Sequence, residues 1–590
     1  MIMNKIFPAI LAALLLAPSA TAQDDLTKEI TIATDYTPLE RKAAKLNLLP
    51  TASKAPAKPR SIGYSQWAEP ADVPALAPLL VPYPYRTSHD FSSSRGYVDL
   101  GVGSFANIAG SAGYAIVRQP DTDLNLWLQH NSSWTGRNRS ENLPAGLTEP
   151  LKQKFCDNVV ALDFSRRFFP GTLSASVMCH FDRFSYYGGY GFNSQSSSYD
   201  PNASGDLIHT PNFHTNGWES SDSMQSVREF RIALGWRNRR SEDFRYSSSL
   251  EFSHFGLARA VNATAGNKGI SDNHIAISFT GEKDCYGADA SVEYLGRSIP
   301  EIVAIPGQPK RNDGMGMVTL APFFRYSHDS FSARVGVNVN LSISDGPALR
   351  FAPRVNLAYV GKGFAVELNA TGGKRLSLLT DFFALNRYIS PTAPLSNPYV
   401  PLDAELALRL GPFSGFHASV AAAYGIFNDM PMPVARLDIP QLNYCTEYAP
   451  SKLKGVKLAA EVGYRYHSLA EARLKFAYSP HDVEKGYFMG YDRAKCVADF
   501  SLSVTPIEPL RVTLGYELRA KRITAASLNS ALLLSDLGTV SNLSLGASYR
   551  VMKPLCLFAS CSNLLGKHWD NFYSLGAQGF TIMVGASYVF

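Results

Sequence analysis

From about residue 95 to its last residue this chain keeps a two-residue rhythm, and that rhythm limits what it can fold into. In Phe331–Ile343, Phe331, Ala333, Val335, Val337, Val339, Leu341 and Ile343 are apolar, and Ser332, Arg334, Gly336, Asn338, Asn340 and Ser342 stand between them. Successive side chains of a strand point to opposite faces, so one face is greasy and the other small or polar. The last segment does the same, with Phe580, Ile582, Val584, Ala586, Tyr588 and Phe590 alternating against Thr581, Gly585 and Ser587. The rhythm recurs at 173–181, 230–236, 349–359, 364–370, 402–410, 456–466, 470–478, 510–518 and 543–551. Runs of roughly 9 to 13 residues exceed an ordinary globular strand and match a tilted crossing of a bilayer. A soluble sandwich would alternate too, but in shorter runs.

Strands placed on this rhythm run from near 96–104 to near 578–590 and number 22, an even count that leaves both chain ends in the periplasm. The connections take two lengths. With the last strand running down to the periplasm, the turns near 552–554, 506–508, 467–469, 411–415, 361–362, 327–330, 281–285, 240–243 and 168–171 are short. The alternate connections, 564–577, 523–540, 480–493, 426–453, 375–401, 298–313, 258–269, 184–224 and 132–152, are long and fall outside the cell. Two outer connections, near 105 and near 345, are short, and Ala435 to Tyr444 is strand-like although assigned to an outer loop, so the range is 20 to 24 strands.

Composition agrees without deciding. Charged residues are 18% and aromatics 12%, which suits lipid-facing aromatic girdles. No run of 18 apolar residues exists beyond the N-terminus, which excludes a helical membrane protein, and a net charge of +6 on 590 residues gives no reason to expect nucleic acid. Residues 1–22 read as a secretory signal: Lys5, an apolar core from Ile6 to Pro18, and the small residues Ala20 and Ala22 at the cleavage site. Residues 23–90 read as a periplasmic extension, its second part broken by Pro50, Pro56, Pro59, Pro70, Pro74, Pro78, Pro82 and Pro84. Residues 91–590 are the barrel. The seven cysteines form no CxxC or Cys/His cluster, and an odd count leaves at least one unpaired.

The end of the chain carries a more specific signal. Cys561-Ser562-Asn563-Leu564-Leu565-Gly566-Lys567 precedes Trp569, Asp570 and Tyr573, then Gly579-Phe580 opens a strand ending Tyr588-Val589-Phe590. This resembles the C-terminal signature of TonB-dependent outer-membrane receptors, and Tyr444 with Gly455-Val456-Lys457-Leu458 resembles, more weakly, another segment of that family. The resemblance covers the barrel portion and implies a 22-stranded barrel that takes up solutes. It also implies that Tyr588 and Phe590 form the signal read by the barrel insertion machinery. The family carries a folded plug ahead of its barrel, and here the stretch between signal and first strand is too short and too rich in proline to be one. The chain therefore resembles a plug-less relative. Glu29-Ile30-Thr31-Ile32 is similar to the family's contact box for its energy-transducing periplasmic partner, but without a plug that partner is not expected.

Charge cannot face lipid cheaply, at about 2–4 kcal/mol for an Arg or Lys at the midplane, so the polar faces should line the lumen. The candidates are Arg231, Arg237, Arg245, Arg334, Arg350, Arg354, Asp403, Glu405, Arg409, Lys457, Glu461, Arg465, Glu471, Arg473 and Lys475, with Glu251, Arg511, Glu517 and Arg519 beside them. They make either a charge-selective wet pore or pairs that fill the interior. Recognition candidates are Tyr186, Tyr187, Tyr190 and Trp218 in the aromatic outer loop 184–224. His209 and His214 there lack acidic partners, no metal or cofactor is expected, and no GxSxG, HExxH or phosphate-binding loop points to an enzyme. The sequence thus predicts an all-β, single large antiparallel transmembrane barrel in the outer membrane, reached by Sec-type export with cleavage near Ala22. It would conduct polar solutes and be gated by inward-folded loops or by the N-terminal arm. A second reading is a non-conducting subunit that scaffolds other outer-membrane proteins.

Overall fold

The structure, a computed structural model, describes residues 94–138, 151–185, 224–238, 244–259, 268–300, 311–343, 346–390, 395–436, 446–483, 494–528, 531–573 and 575–590. The cleavage site after Ala22, the 23–90 extension, the Glu29–Ile32 box and the aromatic residues Tyr186, Tyr187, Tyr190 and Trp218 lie outside these residues.

Twenty-two strands form one closed antiparallel barrel. They are β1 (Gly96–Gly103), β2 (Asn107–Gln119), β3 (Thr122–Asn138), β4 (Leu151–Arg167), β5 (Gly171–Ser185), β6 (Met224–Asn238), β7 (Arg245–Leu257), β8 (Ser271–Lys283), β9 (Tyr286–Ile299), β10 (Arg311–His328) and β11 (Phe331–Ile343). Then come β12 (Leu349–Gly361), β13 (Phe364–Lys374), β14 (Tyr399–Phe413), β15 (Phe416–Arg436), β16 (Thr446–Tyr466), β17 (Ala470–Tyr478), β18 (Cys496–Ile507), β19 (Leu510–Ala520), β20 (Val540–Met552), β21 (Leu555–Ser562) and β22 (Thr581–Val589). Each pairs with its sequence neighbour, and β22 closes on β1 with Tyr97 opposite Val589 and Gly103 opposite Met583. A short helix, α1 (Leu379–Leu385), lies between β13 and β14.

The alternation becomes an apolar outer surface. Val98, Leu100 and Val102 on β1, Ile275, Ile277 and Phe279 on β8, Leu406, Leu408 and Leu410 on β14, and Leu474 and Phe476 on β17 are all exposed. On a protein in water such a surface would aggregate. In a bilayer it is the belt that matches the hydrocarbon. Aromatic side chains border the belt at the end with short turns. Tyr286 packs on Phe324 at 5.4 Å between ring centres, Tyr359 on Phe364 at 5.7 Å, and Tyr326 on Phe331 at 6.2 Å. Tyrosines, whose rings are apolar with a polar tip, are enriched at a membrane–water interface. The turns below them are tight, and Asp284, Asp329, Ser414 and His467 take left-handed backbone. At Gly415, φ is +87° and an added Cβ would sit 2.1 Å from the Arg465 carbonyl oxygen, so only glycine fits.

The long-loop end departs from the sequence reading. Ala435 and Arg436, assigned to a loop, continue β15, and the β15–β16 ladder runs from Phe416 opposite Tyr464 to Ala435 opposite Thr446. Both strands are 21 residues long, well beyond what a tilted crossing needs. Alternation hides the extension because Asn428-Asp429 and Pro431 and Pro433 interrupt it. The structure absorbs them with a register shift between Phe427 and Met430. The two prolines then pair with Pro450 and Tyr448 on β16, past the last β14–β15 pair at Asn428, so their missing N–H groups cost no ladder on the other side. The connection 523–540 holds a hairpin of Ile523–Leu528 and Ala531–Asp536, and 564–577 holds a small one of Asp570–Phe572 and Leu575–Gly576. Six cysteines among the described residues are free thiols.

Candidate functional site

The face opposite the apolar belt carries the charge. On β6, Arg231 and Arg237 alternate with exposed Leu234, and on β11 Arg334 alternates with Val335 and Val337. Asp403, Glu405 and Arg409 alternate with Leu406, Leu408 and Leu410 on β14. Lys457, Glu461 and Arg465 on β16 face the same way as Glu471, Arg473 and Lys475 on β17, because Glu461 stands opposite Lys475, Gly463 opposite Arg473 and Arg465 opposite Glu471. Five of them, all but Lys457, form a local network. Glu461 takes Arg473 at 3.4 Å and Lys475 at 3.5 Å, and Glu471 takes Arg465 at 3.1 Å and Arg473 at 3.3 Å. Arg409 pairs with Glu367 at 3.2 Å, Arg231 with Glu229 at 3.2 Å, and Arg519 with Glu517. Arg245 meets Glu282 at 2.8 Å, and Arg350 lies over the ring of Tyr399 at 4.3 Å.

The feature that sequence reasoning missed is the segment joining β13 to β14. It folds into the barrel. Its helix, α1, has only seven residues and no side-chain N-cap of its own. So short a helix is unstable alone. The wall completes it: Asp272 on β8 accepts the Leu379 N–H at 2.9 Å, and Glu229 on β6 accepts the Thr380 hydroxyl at 2.7 Å. Phe382 and Phe383 are buried. Phe383 meets Phe255 on β7 at 5.4 Å and Phe184 on β5 at 6.0 Å, while Phe382 meets Tyr448 on β16 edge-on at 4.6 Å. In a ring of twenty-two strands, β5 and β16 are half a circumference apart, so the segment bridges opposite arcs of the long-loop end. Val227, Leu257, Ile270, Ile299, Phe572 and Leu575 complete the same apolar cluster.

Polar contacts fix the segment at both ends. Arg297 on β9 is almost fully buried and makes a two-pronged pair with Asp272, both contacts 2.7 Å. The same guanidinium donates to the Ser377 carbonyl at 2.6 Å and the Leu395 carbonyl at 3.3 Å, so one side chain holds the start and the return of the segment. Arg387, just past α1, pairs with Asp182 on β5 and with Asp157 on β4 at 3.3 Å. His180 sits between Asp157 at 3.0 Å and Glu229 at 3.1 Å. Asn386 donates to the Thr446 hydroxyl at 2.7 Å, and the Thr446 N–H donates to the Tyr388 carbonyl at 2.8 Å, joining the segment to β16. Asp381 on α1 lies among the charges of Arg231, Glu229, His274 and Glu251 on the wall. Enclosure by the wall raises its carboxyl above the ordinary range, and the charge of Arg231 opposes the shift. A signal in the sequence was available: Leu376, Leu378, Leu379, Phe382, Phe383, Leu385, Tyr388, Ile389 and Leu395 make this connection more apolar than one that lies in water.

At the other end of the wall, Phe590 closes the seam. Its carbonyl oxygen accepts the N–H groups of Arg95 at 2.7 Å and Gly96 at 2.9 Å. Its ring stacks on Tyr588 at 6.1 Å and Tyr114 at 6.2 Å.

No family model matches the chain, and no curated protein matches it in sequence. Solved structures share its fold. The siderophore receptor PirA from Acinetobacter baumannii gives a TM-score of 0.59 at 11% identity, over 84% of this chain and 80% of that one. The FrpB iron transporter from Neisseria meningitidis (F5-1 variant) gives 0.61 at 10% identity, over 84% of this chain and 82% of that one. A mutant of the ferric enterobactin receptor PfeA from Pseudomonas aeruginosa gives 0.57 at 11% identity, over 84% and 80%. These are TonB-dependent receptors, and what this chain has in common with them is the outer-membrane barrel fold.

Proposed function

We propose that this protein is an outer-membrane transport protein that passes polar solutes through a charged lumen, restricted at the outer end by its own 375–398 segment. The observation that carries this reading is the combination of a polar interior running the length of the strands with a segment, among the described residues, that bridges the long-loop end. Interior charge on a barrel serves water and solutes, since an interior with no traffic gains nothing from solvated ions that apolar packing would not give. Apart from one β-bridge between Ile389 and Thr446, the segment is held by side-chain ion pairs, hydrogen bonds and an apolar cluster rather than by a strand ladder. It is therefore the part of the wall that can move without opening the barrel.

In this reading residues 1–22 direct export, 23–90 extend into the periplasm, and Arg231, Arg237, Arg245, Arg334, Arg350, Arg354, Asp403, Glu405, Arg409, Lys457, Glu461, Arg465, Glu471, Arg473 and Lys475 face the passage. Lipid surrounds the belt, and no energy-transducing partner is required. The test is single-channel conductance of the mature protein in a planar bilayer, with and without residues 23–90. Discrete openings in the full mature form support a conduit restricted by its own segment, and openings only in the shortened form make 23–90 the main obstruction. Silence of both forms, from protein shown to be folded, overturns the conduit reading in favour of a scaffold for other outer-membrane proteins.

A further inference from the structure

Low on the wall, at the end with short turns, four arginines from four strands converge on two carboxylates. Glu282 on β8 takes Arg245 of β7 and Arg325 of β10, each at 2.8 Å. Asp289 on β9 takes Arg334 of β11 at 2.9 Å and also Arg354 of β12. Four guanidinium groups against two carboxylates leave a surplus of two positive charges. A cluster that only held strands together would be served by one acid for each base, and like charges directly opposite each other weaken a sheet. Here Arg325 and Arg334 are direct cross-strand partners. Arg334 also feels Arg354 as a like charge, beside the carboxylates of Asp289 and Glu282.

The arginines are the more accessible members. Side chains of Arg245, Arg325, Arg334 and Arg354 are 41%, 39%, 28% and 28% exposed, against 9% for Glu282 and 22% for Asp289. The Arg334 guanidinium lies over the ring of Phe323, its Cζ 3.6 Å from the ring centre, which helps hold it in place. Its Nε is buried without a hydrogen-bond partner, as is that of Arg350, four residues along β12 from Arg354. Planar, pre-oriented donors in surplus over acceptors suit a multi-oxygen anion.

We propose that Arg245, Arg325, Arg334 and Arg354 form an oxyanion-binding station in the lumen, which takes phosphate-like or carboxylate groups and makes the passage anion-selective. It rests on the conduit reading only in that the bound anion is the passenger. The test measures equilibrium dialysis of radiolabelled inorganic phosphate against folded mature protein in detergent, together with the reversal potential in a planar bilayer under a potassium chloride gradient. Saturable binding is expected. Arg325→Gln, which leaves Glu282 its Arg245, and Arg334→Gln should each weaken it about three- to tenfold, as one screened charge at close range implies. Asp289→Asn removes a negative charge and should strengthen binding, while Lys553→Gln, in the exposed turn between β20 and β21 on the opposite arc, should change nothing. The anion-to-cation permeability ratio should follow the same order. Absence of saturable binding, or equal weakening by Lys553→Gln, overturns the station. A protein that binds phosphate in this order yet never conducts keeps the station and loses the conduit. A conducting protein whose binding and selectivity ignore these substitutions keeps the conduit and loses the station.

Discussion

Replacing Arg297 with methionine should undock the lumen segment and leave the barrel intact. Arg297 is buried, pairs with Asp272 through two 2.7 Å contacts, and donates to the carbonyls of Ser377 and Leu395. Methionine fills much of the space but donates nothing. Asp272 is left with the Leu379 N–H as its remaining donor from the segment, and two carbonyls lose a donor. Removing one member of a buried pair costs about 3–5 kcal/mol, because the other charge stays in place unpaired. At about 1.4 kcal/mol per factor of ten, the docked state should become roughly a hundred to three thousand times less favoured. Hydrogen exchange of the mature protein in detergent reads this directly. Amides of Phe382 and Asn386, which bond within the segment to Leu378 and Phe382, should exchange faster by that factor, up to the limit of full opening. Ladder amides between β8 and β9, such as those at Ile277 and Val292, should keep their protection because the sheet bonds are untouched. Removing both charges with Arg297→Met and Asp272→Leu should recover part of the loss, since the unpaired carboxylate is gone. Unchanged exchange at Phe382 and Asn386 in the single variant would refute the idea that this pair holds the segment.

Two further outcomes are expected. Phe383→Ala empties a buried site against Phe184 and Phe255, a loss of about 3–5 kcal/mol, and should expose the same segment to limited proteolysis while the strands resist; an unaltered digestion pattern would contradict this. Deleting Phe590 removes the carbonyl that receives Arg95 and Gly96 and the ring stacked on Tyr588 and Tyr114, so the yield of folded barrel in the outer membrane should fall, measured as the fraction whose gel migration shifts on heating. Wild-type yield without Phe590 would show that the seam closes on the remaining β1–β22 ladder alone.

Much of the barrel was legible because its cause is local. A strand buried on neither side by protein, with lipid outside and water inside, must alternate at every step, and Phe331–Ile343 announces that with seven apolar residues in phase. The turn positions were legible for a similar reason: Asp329, Ser414-Gly415 and His467 are residues that tolerate left-handed backbone, flanked by strands in phase. Legibility failed where the bilayer stops setting the rule. Beyond the membrane β15 and β16 pair through Pro431 and Pro433, and nothing in the local pattern distinguishes that from a loop.

The lumen segment shows the limit more sharply. Leu379, Thr380 and Asp381 have no local reason to start a helix, and their partners Asp272 and Glu229 lie 107 and 151 positions away. Phe184 and Tyr448, which clamp the two phenylalanines, belong to strands on opposite arcs and come within reach only once the barrel has closed. The converging arginines are of the same kind. Each could be placed on the polar face of its own strand by parity, but only the register of five neighbouring pairs decides that Arg245, Arg325, Arg334 and Arg354 share two carboxylates. Periodicity, being a property of neighbours along the chain, determined the strands, their faces and the membrane belt. Contacts between strands far apart in sequence depend on register and closure, so the tertiary structure alone decided which charges meet and which loop turns inward.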